Sequence, residues 1–132
     1  MLQRSTLIAL VLASATPALA QTTDWSLAKR VEIGLSNYAF TPKELHLQHG
    51  VPYVLHFTNS ASKSHDFAAP KFFAATTIAP DDKAKVVKGS VELDENQTTD
   101  VKLIANTPGT YDVTCTHFMH EMLGMSGKVV VE

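Results

Sequence analysis

The chain has 132 residues (14.3 kDa), enough for one domain and hardly for two. Its 11 basic and 13 acidic side chains leave a formal charge of -2, which argues against a strongly basic nucleic-acid binder, and 45% apolar with 18% charged residues argues against disorder. A single cysteine, Cys115, excludes an internal disulfide framework.

Residues 1–20 read as a secretory signal. Arg4 supplies the basic start, Leu7 to Ala15 is apolar apart from Ser14, and Ala18-Leu19-Ala20 is a small-x-small cleavage pattern. The apolar run is too short to span a bilayer, so no membrane anchor is expected. The expectation is an exported protein, periplasmic in a bacterium, cut after Ala20 to leave a domain at 21–132. In an oxidising compartment a lone thiol is either buried or occupied, for instance by a metal.

The lead-in from Gln21 to Lys29 is polar apart from a few side chains such as Trp25 and Leu27. From Arg30 the chain alternates, with Val31, Ile33 and Leu35 on one face of a predicted strand. Thr41-Pro42 breaks it, Glu44 to Gln48 alternates again, and His49-Gly50-Val51-Pro52 turns into a buried strand at Tyr53 to Phe57. Asn59 to Ser64 reads as a polar surface loop, and Phe72 to Ile78 as a short helix closed by Pro80-Asp81-Asp82. Val91 to Leu93 and Val101 to Ile104 are further strands. Pro108-Gly109 turns the chain into a strand whose Tyr111, Val113 and Cys115 share a face, and Lys128 to Glu132 is the last strand. About seven short strands with little helix predict an antiparallel sandwich or small barrel.

The chemistry concentrates in one segment. Cys115, His117 and His120 lie beside Met119, Met122 and Met125, which are all the methionines except Met1. Thiolate and thioether are soft ligands, and with imidazole they select copper over zinc or hard cations. The spacing is Cys115-x4-His120-x4-Met125, and the candidate fourth ligand is His65 in Ser64-His65-Asp66-Phe67. That set suggests two imidazoles and a thiolate in a plane with a weak methionine on its axis.

Plainer readings stand beside this one. Cys115 on its own fits a buried small hydrophobe, or a nucleophile paired with His117 or His120. His117 would share the face of Cys115 if the strand continues, whereas Met119 and Met122 read as packing or surface. His46, His49 and His56 face solvent or satisfy hydrogen bonds, and His46 and His49, three apart on a strand, form no ready metal pair. Asp81-Asp82 and Glu92-Leu93-Asp94-Glu95 read as solvated surface.

The segment Gly109 to Cys115, with His120, Gly124-Met125 and Gly127 to Val131, resembles the cupredoxin family of small blue copper proteins. The resemblance covers about 100 residues, and the gaps either side of His120 are similar to the longer, rusticyanin-like loops of that family. It departs in Thr116-His117-Phe118-Met119, where members often carry Pro and Gly. The resemblance implies an all-β Greek-key β-sandwich and one copper ion held by His65, Cys115, His120 and Met125. It also implies one-electron transfer without enzymatic activity. Phe67, Phe118 and Leu123 would exclude water. A backbone N–H would face the Cys115 sulfur, and a hydrogen bond would fix the free nitrogen of each imidazole. Phe118, Met119, Met122 and Leu123 would dock redox or copper-exchange partners near His120. The surplus His117, Met119 and Met122 leave a second reading open, a protein that delivers copper. A copper enzyme would need further metal centres.

Overall fold

The structure, a computed structural model, describes residues 15–18, 20–117, 119–120 and 122–132. Most of the signal-peptide reading, and Phe118, therefore lie outside the described residues. Among the described residues ten strands, one α-helix and a second 3-10 segment (Pro80–Lys85) follow a 3-10 turn at Trp25–Leu27: β1 (Lys29–Ser36), β2 (Ala39–Thr41), β3 (Glu44–Leu47), β4 (Pro52–Asn59), β5 (His65–Ala68), α1 (Pro70–Ala74), β6 (Thr76–Ile78), β7 (Ser90–Leu93), β8 (Thr98–Ala105), β9 (Gly109–Thr114) and β10 (Ser126–Val131).

The strands form two five-stranded sheets, in the orders β2-β1-β4-β8-β6 and β3-β10-β9-β5-β7. From β4 to β9 the chain changes sheet at every step, the connectivity of a Greek-key sandwich. The alternation read from sequence decides the inner faces. Ile33, Leu35, Leu55, Phe57, Val101 and Leu103 from one sheet meet Leu45, Leu47, Phe67, Leu93, Val113 and Val129 from the other, each 4% exposed or less.

The structure corrects the sequence reading in several places. The sheets are mixed, because β1 pairs in parallel with β4 and β3 with β10. Side-chain periodicity reports which face is buried and carries nothing about strand direction. β2, β5 and β6 are additional strands: β2 and β6, of three residues each, are too short to alternate visibly, and β5 is buried at every position and so shows no alternation. The helix begins at Pro70 and ends at Ala74, with the β-branched Thr76-Thr77-Ile78 returning to strand. Asn59 belongs to the core. Its Nδ2 donates to the carbonyls of Lys63, Leu93 and Asp94 at 2.8, 3.2 and 3.0 Å, and its Oδ1 accepts from the Ala61 N–H. Asp82 is also buried, accepting from Lys85 Nζ at 2.7 Å and from the Lys102 N–H at 2.8 Å. Both polar side chains look solvent-facing in sequence because each is buried only by distant strands.

Candidate metal centre

The candidate ligands meet at one end of the sandwich. His65 opens β5, and Cys115 follows β9 at the start of the connection to β10. His120 and Met125 lie on that connection, whose turns are closed by hydrogen bonds. Met125 donates its N–H to the His120 carbonyl at 3.0 Å and accepts the Cys115 N–H at 3.2 Å. The Met125 backbone thus ties the ends of the loop together, and its side chain is fully buried.

Cys115 Sγ lies 3.3 Å from His120 Nδ1 and 3.7 Å from His65 Nδ1. The three ligand atoms fall within 4.8 Å of one another and all three residues are buried. His65 Nε2 sits 3.0 Å from the amide oxygen of Asn37. That oxygen only accepts, so Nε2 carries the ring proton and the Nδ1 lone pair faces the thiol. Tyr38 covers the site, its ring edge-on to His120 at 5.0 Å and to His65 at 6.3 Å.

Electrostatics favour a neutral imidazole pair. Burial, then the His120 and His117 rings, lower the pKa of His65; burial and then His117 lower that of His120. Burial pushes the Cys115 thiol up to about 11, although backbone N–H groups of Asp66 and His117 act the other way. A metal must therefore displace its proton. Asp66 is buried and held below the usual carboxylate range: burial opposes this, and hydrogen bonds from Thr116 and Ser90 outweigh it. It accepts the Thr116 N–H at 2.6 Å and the Thr116 hydroxyl at 2.7 Å, pinning the residue after Cys115 to the one after His65.

A thiol, two imidazoles that turn their Nδ1 atoms inward, and a buried thioether nearby suit a soft ion such as copper better than a hard one. His117 stays outside this group, with Nε2 bonded to Glu92 Oε1 at 2.7 Å. His46 and His49 form no pair of their own, and each reaches Glu132 instead. His56 is half-buried against Asp100, its cross-strand partner. Leu123 is 54% exposed, a correction to the burial expected of it. With Met119 and Met122, 46% and 82% exposed, it forms an apolar rim. Asn37 and Tyr38 were invisible in sequence because no spacing links them to His65; the acidic Asp66 was in view but its role was not.

A family model described as "Cupredoxin-like domain" matches residues 5–131. A sequence search against curated proteins finds no significant match. Among solved structures, reduced auracyanin from Roseiflexus castenholzii is 22% identical, with 80% of this chain and 98% of that one aligned at a TM-score of 0.60. Auracyanin A from Chloroflexus aurantiacus is 23% identical over 78% and 98%, at 0.56. The multicopper oxidase McoA of Aquifex aeolicus aligns at 0.64 with 12% identity, over 87% of this chain but only 32% of its own. At such identities the likeness is one of fold.

Proposed function

The chain belongs to the cupredoxin family, and from that membership we propose that it is an exported mononuclear copper protein that carries single electrons and is not itself an enzyme. The mature domain is 21–132, released into the periplasm by cleavage after Ala20. His65 and His120 would hold copper through Nδ1 and Cys115 through its thiolate, and Met125 would lend a weaker thioether sulfur. The supporting observation is the convergence of two imidazole nitrogens on one buried thiol within 4.8 Å.

Bound copper supplies the one-electron couple. The chain holds the donors still between what Cu(I) and Cu(II) each favour, so little rearranges when charge changes. Asn37 fixes the His65 ring, and the Asp66–Thr116 clamp locks the two ligand-bearing segments together. Tyr38 covers the two imidazoles, while His120, 8% exposed, forms the thinnest wall toward partners.

Titrating the mature protein with Cu(II) tests this directly. One equivalent should produce intense visible absorption and a thiolate-type paramagnetic-resonance signal, with reversible voltammetry and fast self-exchange. Cys115→Ser should lose the colour, and a variant keeping the wild-type spectrum would exclude sulfur as a ligand. The exposed Met119 and Met122 favour a second reading, delivery of Cu(I) to a partner. Ready release of Cu(I) to an acceptor, without intense blue colour, would select it.

A further inference from the structure

Among the described residues two groups of three His, Cys, Asp or Glu side chains converge, and the second is Asp66, Glu92 and His117, whose ligand atoms also lie within 4.8 Å of one another. Its origin is the register of two strands. Asp66 on β5 and Glu92 on β7 are direct antiparallel partners, so both carboxylates project on the same face. Like charges directly opposite destabilise a ladder. His117 arrives from the end of β9 and meets Glu92. Lys85, which lines the adjoining cavity of about 490 Å³ with Asp66 and Glu92, is engaged instead by Asp82 and the Asp100 carbonyl.

Donor capacity remains. An ionised carboxylate offers about four acceptor positions. Asp66 uses three, one on Oδ1 for the Thr116 N–H and two on Oδ2 for the Thr116 and Ser90 hydroxyls. Glu92 is exposed and the cavity beside it has room for water ligands. Two carboxylates and one imidazole, without sulfur, suit a divalent ion of borderline hardness and not Cu(I).

We propose that Asp66, Glu92 and His117 form a second cation site, separate from the thiolate centre, that takes a divalent ion of the Zn(II) or Cu(II) class. Asp66 adjoins His65 and His117 lies two residues past Cys115, so charge gained at this site is felt at the first. Asp66 serves the copper centre only through its clamp on Thr116 and none of the three is a proposed copper ligand, so zinc binding here can be tested whether or not copper binds.

Zinc is the probe. Copper-loaded protein is titrated with Zn(II) by calorimetry while the visible spectrum is recorded. One further equivalent should bind with the copper absorption retained, and His117→Ala and Glu92→Gln should each weaken zinc binding by at least about ten-fold. No zinc uptake, uptake unchanged in both variants, or uptake that bleaches the copper band would overturn the site. If the chain takes no copper, the electron-carrier reading fails, and the same isotherms in the Cys115→Ser background still decide this site.

Discussion

At the scale of single residues, Asn37 illustrates how a ligand is prepared. One amide oxygen selects the tautomer of His65 and fixes the angle of its ring. Asn37→Ala should weaken copper binding by roughly 10- to 100-fold without unfolding the domain, measured by competition with a calibrated chelator; unchanged affinity would mean that packing alone orients the ring. The sequence exposed Cys115, His120 and Met125 because they lie five residues apart on one loop, where spacing reports proximity. It offered His65 as a candidate from its place in Ser64-His65-Asp66-Phe67 and through resemblance, not from spacing, since 50 residues separate it from Cys115. Asn37, Tyr38 and the Asp66 clamp stayed hidden because ordinary polar residues acquire their roles only when distant strands meet.

At the scale of elements, two buried polar side chains hold the segments that frame the site. Asn59 caps the end of β4, with its amide bonded both to the loop leading into His65 and to the end of β7. Asn59→Ala leaves several buried backbone groups without partners and should cost about 2–4 kcal/mol, read from urea unfolding, with copper affinity falling as the His65 loop loosens. Asp82 anchors the 3-10 segment Pro80–Lys85 against β8. Burial raises its pKa, but bonds from Lys85 and the Lys102 N–H more than offset this and leave it below the ordinary 3.8. Because the folded value is depressed, its stabilisation is complete above that ordinary value and drains away as pH falls through the folded one. Asp82→Asn should therefore be less stable near neutrality, with the gap to wild type closing in acid; parallel melting curves across pH would contradict the assignment. The longer β1 and the four-residue β3 were legible through alternation, whereas β5 was not, because it is buried at every position and shows no face, and the three residues of β2 and of β6 hold too few repeats.

At the scale of the whole molecule, the ligands are supplied by separate parts of one sandwich, so metal binding and folding are linked. Copper should raise the melting temperature in proportion to the logarithm of its free concentration, as binding to the folded state alone requires. Cys115→Ser should lose most of that response, as calorimetric scans with and without Cu(II) would reveal. The class of fold was readable from the number of short strands, yet their directions were not: β1 and β4 run parallel although the chain between them holds only β2 and β3.

The imidazole of His120 is the ligand nearest the surface, on the loop that carries the apolar rim of Met119, Met122 and Leu123. On the proposed reading, a carrier whose one doorway is this rim would handle its visitors in turn. Whatever reduces the protein would have to leave before whatever oxidises it arrives, so an excess of either partner should slow turnover by blocking the other. Traffic through this molecule would be governed by how quickly each guest departs.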